Sequence, residues 1–560
     1  MPAELLRQQL ARALADLGAP EAPIQLERPR NPEHGDLATN AALILARRLG
    51  KPPRQTARLI LEKLDLPAAG VSSAEIAGPG FINFRFGQAL LAEKLRAILE
   101  ADRAYGRSSL GAGRRIQVEF VSANPTGPLH VAHGRGAALG DAVAQLLDWT
   151  GYEVAREFYV NDAGAQVDKL IESLGVRWRQ LRGEPADLPE EGYHGEYVIE
   201  LARALEREQG EELRRLAAAE RRQLLREWAL ERLRAEQDRD LRQFRVFFDS
   251  YYFESQLYRE GKIEETLNEL VAHGLTCEAE GAVWLRTTAF GDDKDRVLVK
   301  SDGSYTYFLP DLAYHRDKAR RGFQHVIDVW GADHHGYVPR MRAGLLALGL
   351  RDFLDVEIVQ MVRIMSGGRE VKLSKRLGEL VTLRELFEQT GVDVARYFFL
   401  MRRGDAQMLF DLDLALDHSE KNPVYKIQYA HARMMSIFRK GGVAPADITA
   451  DAADLARLAT AAEQDLIKQL GEFPALVERA AEARAPHLVC DYLEETAGSV
   501  NSWYHAGNPS RNPALAVLVP DPELRQARLA LARGVQIVLR NGLELLGLTA
   551  PERMEREEAE

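Results

Sequence analysis

The sequence predicts an α/β protein: a parallel-sheet domain preceded by an α+β N-terminal domain and followed by an all-α C-terminal helical bundle. A strand–helix–strand alternation begins after Arg114, over 116–121, 135–149 and 153–160, and such a βαβ unit implies a parallel sheet. Before residue 110, helical and strand patterns are mixed. From Asn422 onward, apolar residues recur at helical spacing, which predicts the bundle.

Length and composition narrow the class of protein. The chain has 560 residues, more than one core normally serves, so two to four domains are expected. A formal net charge of −11 argues against nucleic-acid binding over the whole surface. The sequence has no bilayer-spanning apolar run and no signal-peptide core, so no membrane attachment is expected. Two distant cysteines, Cys277 and Cys490, favour a reducing, cytoplasmic location.

Residues 1–110 are predicted to form a separate small domain. A helix over 4–17 precedes a loop, and a second helix follows over 38–49. Ala77-Gly78-Pro79-Gly80 then predicts a turn into a strand with alternating faces. The following Gly111-Ala112-Gly113 has the composition of a linker.

The parallel-sheet region contains an interruption. Between about 185 and 290 the strand–helix alternation stops, and 206–248 forms a long, heavily charged helical stretch. We interpret its charge as a solvated helix face on an insertion or a helical pair. Further strands are predicted over 323–330 and 356–362. In the bundle, helical spacing covers 455–476, 488–504 and 524–546.

Two histidines lie where the first predicted strand passes into a helix. The apolar run 116–121 ends in a loop, and His130 and His133 stand just before a helix that starts at Gly134. Strand ends and helix N-termini attract phosphate, and two imidazoles can donate hydrogen bonds to a phosphate that gains charge in a transition state. The commoner role for histidines at a helix start is polar surface or a satisfied buried pair.

A second chemical signal follows the strand predicted over 356–362. Gly367 and Gly368 precede Lys372-Leu373-Ser374-Lys375. A mobile loop that delivers two ammonium groups suits a departing pyrophosphate, whose charge rises as its bond breaks. A surface loop with solvated lysines is the alternative.

Polar residues near these motifs have the carboxylates and planar acceptors that a guanidinium would need, because that group offers five donors and stays charged, but their spacing alone does not select this ligand. Glu119 and Asn124 accompany the paired-histidine turn, and Tyr307 and Asp311 precede a helix predicted over 312–320. Asp311 could instead cap that helix, the commoner role for aspartate at this place.

Both motifs, in this order and about 240 residues apart, resemble the signatures of class I aminoacyl-tRNA synthetases, and the string Val118–Gly134 resembles the arginyl-tRNA synthetase family. Ala132 stands where the class usually has Gly, and Leu373 where it usually has Met. The resemblance covers nearly the whole chain. It implies a tRNA-elbow-binding domain at 1–110, a Rossmann-like catalytic domain at 111–365 with an inserted helical segment at about 185–290, the lysine loop and a connecting region at 366–421, and a helical anticodon-binding domain at 422–560.

The resemblance also implies an activity, the ATP-dependent ligation of L-arginine to its tRNA through an arginyl-adenylate. The partners would be ATP with Mg²⁺, L-arginine and the tRNA for arginine, and the enzyme would be a monomer. His130 and His133 would stabilise the α-phosphate of ATP, and Lys372 and Lys375 the leaving pyrophosphate. The other implied contacts are Gly134, Gly331, Asp333, Met361 and Val362 for ATP, Glu119, Ser122, Asn124, Tyr307, Asp311 and His334 for arginine, and Phe81, Asn83, Tyr429 and Arg433 for tRNA.

Rival functions remain open at this point. A class I synthetase for another amino acid, or a smaller adenylyltransferase, would explain both motifs but not Glu119, Tyr307 and Asp311 together. A tRNA-binding protein without catalysis is favoured by Ala132 and opposed by the intact lysine pair.

Two local alternatives also remain. Tyr429 could pack in the core at helical spacing instead of contacting RNA. Asp333-His334-His335 could bind a metal, but no further carboxylate or cysteine spacing supports such a cluster. No structural metal is therefore predicted.

Overall fold

The structure is a computed structural model, and it describes residues 2–27, 29, 31, 34–371 and 381–554. Lys372 and Lys375 lie outside the described residues. Two compact units are each built from segments that are distant in the sequence. The first comprises Met1–Tyr105, Ala430–Phe473 and Thr496–Leu539, and the second Gly106–Tyr429, Pro474–Glu495 and Arg540–Glu560.

The N-terminal part of the first unit is a small antiparallel sheet with helices. Its elements are α1 (Pro2–Asp16), β1 (Leu26–Glu27), β2 (Leu37–Thr39), α2 (Ala41–Leu49), α3 (Pro53–Leu61), β3 (Val71–Ala77), β4 (Phe81–Phe86) and α4 (Gln88–Ala101). The strand order is β1-β2-β4-β3. Leu6, Leu10 and Leu14 recur on one face of α1 and join Ile82 and Phe84 of β4 in one buried cluster, as an amphipathic helix requires.

The second unit alternates strands and helices through its length. Its elements up to residue 415 are β5 (Arg115–Glu119), α5 (Val131–Trp149), β6 (Glu153–Val160), α6 (Ala165–Leu181), α7 (Glu196–Arg215), α8 (Ala218–Gln243), β7 (Ser250–Phe253), α9 (Glu254–Arg259), α10 (Lys262–Ala272), β8 (Thr276–Ala279), β9 (Ala282–Leu285), β10 (Arg296–Val299), α11 (Phe308–Arg320), β11 (His325–Gly331), α12 (Val338–Ala347), β12 (Leu354–Val359), β13 (Val362–Ser366), β14 (Arg369–Glu370), α13 (Leu383–Thr390), α14 (Val392–Leu400), β15 (Met408–Asp411) and α15 (Leu412–Ala415).

Five of these strands form a parallel sheet in the order β12-β11-β5-β6-β7. The chain enters the sheet at its centre with β5, extends one side with β6 and β7, and then extends the other with β11 and β12. This is a doubly wound arrangement, so the strand order reverses between β5 and β11. The smaller sheets, β10-β9-β8 and β14-β13-β15, lie outside it. The predicted α/β class with a Rossmann-like sheet is confirmed.

The C-terminal region is helical, as predicted. Its α-helices are α16 (Pro423–Gly441), α17 (Ala461–Leu470), α18 (Phe473–Glu482), α19 (His487–Ala506) and α20 (Pro522–Leu545). The stretch predicted as helical over 455–476 is broken, because Leu455–Arg457 is a 3-10 turn that ends before α17 begins. None of the described helices combines the length and the apolar composition that crossing a membrane requires.

Three predicted elements differ from the structure. The strand predicted over 356–362 is two strands in different sheets, β12 and β13, because Gln360 leaves the ladder and its N–H donates to the Gly404 carbonyl at 3.0 Å. The helix predicted from residue 312 begins at Phe308, since Pro310 is tolerated in a first turn, where its missing N–H has no intrahelical partner. The charged stretch 206–248, for which an insertion or a helical pair was expected, is divided between the two helices α7 and α8, which agrees with a helical pair. The strand β7, within the predicted insertion, joins the parallel sheet.

Candidate active site

The crevice between β5 and β11 collects most residues implied for ATP. Ligands usually bind such sheets at the carboxyl ends of the strands where the strand order reverses. A cavity of about 540 Å³ opens there. Its walls include, from the predicted set, Ser122, His130, His133, Gly331, Asp333, His334 and Met361. His334, implied for arginine, therefore lies with the ATP group, while Val362 is absent from these walls.

His130 and His133 form a stacked pair at the start of α5. Their ring centroids are 3.7 Å apart with the planes at 25°. Burial lowers the pKa of both imidazoles, and for His133 burial together with His130 lowers it to about 3. Both rings are therefore neutral at physiological pH.

A backbone contact selects the tautomer of His133. The His130 N–H donates to His133 Nδ1 at 3.3 Å, so Nδ1 is the acceptor and Nε2 carries the hydrogen. A neutral imidazole with a fixed Nε2–H is a directional donor suited to a phosphate oxygen.

The chain just after the lysine loop pairs with the histidine turn. The Val131 N–H donates to the Val381 carbonyl at 3.2 Å, and the Leu383 N–H donates to the Leu129 carbonyl at 2.8 Å. Thr382, which lies between Val381 and Leu383, forms an isolated antiparallel β-bridge with His130. Lys372 and Lys375 lie outside the described residues, but the segment that follows them is attached beside the paired histidines.

Gly134 has a packing role in this structure. A β-carbon at Gly134 would lie 2.5 Å from Leu383 Cδ1 and 3.2 Å from Phe399 Cε2, so α5 needs a glycine to pack this closely. Gly134 is not in the walls of the ATP cavity, whereas Gly136 is. Gly136, which the sequence reasoning did not single out, lies on the cavity side of α5.

Glu119 ends β5 as part of a buried charged group. Lys318 Nζ donates to Glu119 Oε2 at 2.5 Å and to Asp328 Oδ1 at 3.0 Å. Burial alone would lower the pKa of Lys318, but Asp328 and Glu119 outweigh it and raise that pKa. His315 extends the group, since its Nε2 lies 2.9 Å from Asp328 Oδ2 and its Nδ1 lies 2.8 Å from the Asp311 carbonyl.

A strained turn brings Ser122 back onto Glu119. Val121 and Ser122 have φ of 69° and 42°, a left-handed conformation that is unfavourable for a β-branched residue such as Val121. The Ser122 hydroxyl donates to Glu119 Oε1 at 2.9 Å, and it accepts from the Tyr159 N–H at 3.2 Å. This turn brings together Glu119 and Ser122, both implied for arginine, whereas Asn124, which was expected beside Ser122 at the α-amino end, binds Gln166.

Asp311 is not the cap of α11. Tyr307 precedes the helix, and Asp311 lies within the first turn, where its Oδ2 accepts from the Tyr337 hydroxyl at 2.5 Å. Burial raises the pKa of Asp311, a sign that an ionised carboxylate here lacks a full counter-charge. The Tyr307 side chain is 79 % exposed.

Two residues that the sequence reasoning missed connect these carboxylates. Glu254 is 7 % exposed, and burial, followed by the charges of Asp311 and Asp162, raises its pKa to about 7. It accepts a hydrogen bond from the Tyr159 hydroxyl. Tyr159 is on β6. Burial raises its pKa, and the nearby charges of Asp311 and Glu119 raise it further. Nothing in the local sequence distinguishes Glu254 from the other glutamates, because only the sheet brings it to Asp311.

Asn124 faces a different cavity from Ser122. A space of about 470 Å³ is lined by Asn124, His130, His133, Tyr193 and Tyr197, among others. Asn124 Nδ2 donates to Gln166 Oε1 at 2.5 Å. The two histidines line this second cavity as well as the first, so ligands in the two cavities would meet at the imidazoles.

The residues implied for tRNA differ in accessibility. Phe81 in the first unit is 40 % exposed, whereas Asn83 on the same strand is 8 % exposed. Arg433 is 7 % exposed; its guanidinium binds Asn501 and lies 4.8 Å from the centre of the Tyr504 ring. In this structure Asn83 and Arg433 are held inside the protein and are not presented to RNA. Tyr429 stacks on Tyr425 with centroids 5.7 Å apart.

Three family models match successive parts of the chain. Residues 4–86 match the arginyl tRNA synthetase N-terminal domain, 94–398 the catalytic domain of class I tRNA synthetases (R), and 427–554 the DALR anticodon-binding domain. The catalytic match alone covers more than half of the chain. The chain belongs to the arginyl-tRNA synthetase family.

Known members of this family are similar over nearly their whole length. Arginine–tRNA ligase 1 of Halalkalibacterium halodurans is 48 % identical over 94 % of this chain and 94 % of its own. The arginine–tRNA ligase of Bacillus subtilis is 45 % identical over 98 % and 99 %. The arginyl-tRNA synthetase structure from Thermus thermophilus has a TM-score of 0.73, with 25 % identity, over 99 % of this chain and 100 % of that one. The predicted family and enzyme class, a class I aminoacyl-tRNA ligase, are confirmed.

Proposed function

We propose that the chain ligates L-arginine to its tRNA and that the amino acid spans Glu119 and Ser122 at one end and Asp311 and Glu254 at the other. The observation that carries this proposal is the pair of buried carboxylates at the second end. Burial raises the pKa of both Asp311 and Glu254, and the charge of Asp311 raises that of Glu254 further, so a bound cation would favour their ionised forms. A guanidinium satisfies two such carboxylates because it stays charged and offers five donors.

The first step joins arginine to AMP. A carboxylate oxygen of arginine attacks the α-phosphorus of ATP, and the bond from that phosphorus to the β-phosphate oxygen breaks, which releases pyrophosphate. The neutral His130 and His133 donate hydrogen bonds to the phosphate as its charge rises. Lys372 and Lys375 stabilise the departing pyrophosphate. No side-chain nucleophile is required, since positioning and electrostatics suffice for this type of transfer.

The nucleotide occupies the first cavity, with Gly331 and Asp333 near the ribose and the backbone at Met361 and Val362 beside the base. Mg²⁺ enters with the nucleotide. In the part of the chain that the structure describes, no cluster of three or more ligating side chains could hold the ion, so the phosphates and water would supply most of its oxygen ligands. When bound, the ion neutralises phosphate charge.

The second step uses the second cavity. The 2′-hydroxyl of the terminal adenosine attacks the carbonyl carbon of the adenylate, and AMP leaves. The cavity around Tyr193 and Tyr197 suits an adenosine, because the walls contain no acidic or lysine side chain and present two aromatic rings. Its position across the paired histidines brings that hydroxyl to the reacting carbonyl. The proposal also includes that the enzyme is a monomer and acts in the cytoplasm.

ATP–pyrophosphate exchange with each amino acid, with and without tRNA, tests the proposal. We expect exchange with arginine alone among the amino acids, and charging of the arginine tRNA. Selection of a different amino acid would support a rival class I synthetase. Tight tRNA binding with neither exchange nor charging would support a binding protein without catalysis.

A further inference from the structure

One buried cation in the second unit has no part in the chemistry above. Arg135 stands two residues after His133 in α5, and its side chain is fully buried. Its Nη1 donates to the carbonyls of Gln360 and Ala406, each at 2.9 Å, and its Nη2 donates to the Arg403 carbonyl at 2.8 Å. All three acceptors are uncharged backbone groups, so the contacts fix the course of the chain rather than balance a charge.

These carbonyls lie in two segments beside the ATP cavity. Gln360 and Met361 line the cavity and form the short junction between β12 and β13, where no ladder of a single sheet holds them. The loop at 403–406 holds the same junction, because the Gly404 carbonyl accepts from the Gln360 N–H at 3.0 Å. Both backbone polar groups of Gln360 are therefore fixed by Arg135 or by the loop that Arg135 binds.

We propose that Arg135 is a positioning residue for nucleotide recognition, which sets the Gln360–Met361 segment at a fixed distance from the helix that carries His130 and His133. This inference rests on the proposed function, since it places ATP in the cavity. One helix would then position both the phosphate donors and the segment beside the base. The planar fork of arginine reaches acceptors on two segments at once, whereas a lysine ammonium is a point charge on a flexible stem and cannot hold the same geometry.

Arg135→Lys tests this role, with Arg396→Lys as a matched control. Arg396 is also fully buried in the second unit; it too binds backbone carbonyls, those of Phe244 at 2.9 Å and Leu546 at 3.1 Å, with an additional ion pair to Asp141, but it is absent from the cavity walls. For Arg135→Lys we expect the KM for ATP to rise roughly 10- to 100-fold, as for small misplacements of a bound substrate. We expect an unchanged KM for arginine and a smaller preference for ATP over GTP.

Arg396→Lys should lower the melting temperature without changing the KM for ATP or the preference for the base. The proposal would be overturned if the two variants changed the KM for ATP equally. It would also be overturned if Arg135→Lys lowered the melting temperature and left the KM for ATP unchanged. If Arg135→Lys does not fold, Gly404→Ala serves instead, because the added methyl would lie 3.2 Å from the Ile358 carbonyl and 2.8 Å from Leu139 Cδ2, which displaces the same loop. An unchanged KM for ATP in that variant would equally refute it.

Direct binding separates this inference from the proposed function. The Kd of a non-hydrolysable ATP analogue, measured by calorimetry, should weaken in Arg135→Lys whatever amino acid the enzyme activates. A failed arginine assay with such a weakened Kd would refute the function and keep the role of Arg135. A normal arginine assay, together with an unchanged Kd of the ATP analogue in Arg135→Lys, would keep the function and refute the role of Arg135.

Discussion

Glu254 is the residue whose charge state should control arginine binding. Burial, then Asp311 and Asp162, raise its pKa to about 7, so it is partly protonated at neutral pH, and a guanidinium binds only the ionised form well. The affinity for arginine should therefore rise between about pH 6 and 8. Titration calorimetry over that range measures it. In Glu254→Gln the affinity should be weak and nearly independent of pH, and a parallel pH profile in the variant would exclude Glu254 as the cause.

The same shift predicts a stability effect of opposite sign. Because the pKa of Glu254 is higher in the folded than in the unfolded protein, its ionisation opposes folding. The folded state therefore has its full stability below about pH 4.5, where Glu254 is protonated, and loses part of it as the pH rises from about 4.5 through 7. Glu254→Gln should thus stabilise the free protein at pH 8 by roughly 2–4 kcal/mol, and hardly at all at pH 5. Melting temperatures at both pH values decide the matter. Equal shifts at the two would show that packing, not charge, is responsible.

Asp311→Asn should weaken the binding of arginine much more than the binding of ATP. The amide loses the charge-assisted pair and presents donors to the donors of the guanidinium, so the KM for arginine should rise roughly 10- to 100-fold. Asp355→Asn is the control, because Asp355 pairs with Arg484 at 3.0 Å away from the cavity. If the KM for arginine in Asp311→Asn matches that of the control, Asp311 does not bind the guanidinium.

At the scale of residues, sequence reasoning selected candidate site residues but not their surroundings. His130, His133, Glu119 and Asp311 stand out because strand ends and helix starts concentrate ligand contacts. Glu254 carried no comparable signal, since its importance arises from neighbours brought to it by β6 and α11. The left-handed backbone at Val121 was equally invisible, because a β-branched residue disfavours that conformation and only the surrounding structure imposes it.

At the scale of elements, Lys318 joins β5, α11 and β11 through the ion pairs to Glu119 and Asp328. Lys318→Met would leave two carboxylates buried without a counter-charge, and breaking a buried pair in this way typically costs about 3–5 kcal/mol. Chemical denaturation should show that loss. Lys169→Met, which breaks the exposed pair with Glu191, should leave the denaturation midpoint unchanged. A similar loss of stability in Lys318→Met and Lys169→Met would mean that the ion pairs of Lys318 are as well solvated as the exposed pair.

The start of α5 allows a test of Ala132, the residue that departs from the usual glycine. Ala132 lies inside the helix and lines the cavity, so the turn has accommodated its methyl group. Ala132→Gly should cost roughly 0.5–1 kcal/mol, because glycine adds backbone freedom at a helical position, and should leave the Kd for ATP unchanged. Tighter ATP binding with an unchanged melting temperature would show that the methyl obstructs the nucleotide.

Element types were more predictable than element ends. The strand 153–160 is found with the predicted ends: Gly151 precedes it closely, and its residues are rich in aromatic and β-branched side chains. The strand predicted over 356–362 divides at Gln360 because a side chain from α5 and a loop from residue 404 hold that residue, and neither is visible in the local pattern. The start of α11 was placed too late because aspartate is a common helix cap, so a helix from 312 fitted Asp311, although the helix begins at Phe308 and Pro310 is compatible with its first turn.

At the scale of the whole molecule, a linear domain map suggests that a chain cut before Asn422 would keep a folded catalytic core. The structure predicts otherwise, because Pro474–Glu495 and the residues after Arg540 belong to the second unit. The buried Arg396 donates to the Leu546 carbonyl, and Tyr397 donates to the Cys490 carbonyl at 3.3 Å. Residues 106–421 alone should therefore be insoluble or molten, as judged by proteolysis and near-ultraviolet circular dichroism. A cooperative thermal transition of that fragment would contradict this view.

The contact between Arg396 and Leu546 also has a consequence for how the protein is made. Synthesis proceeds from the N-terminus, so the Leu546 carbonyl is added long after Arg396. While the ribosome is still translating α20, Arg396 can already reach the Phe244 carbonyl and Asp141 but still lacks the Leu546 carbonyl, and the apolar surface around it is incompletely covered. Such an unfinished intermediate is the form most exposed to aggregation, so the catalytic unit should be most vulnerable before the segment that follows α20 has been added.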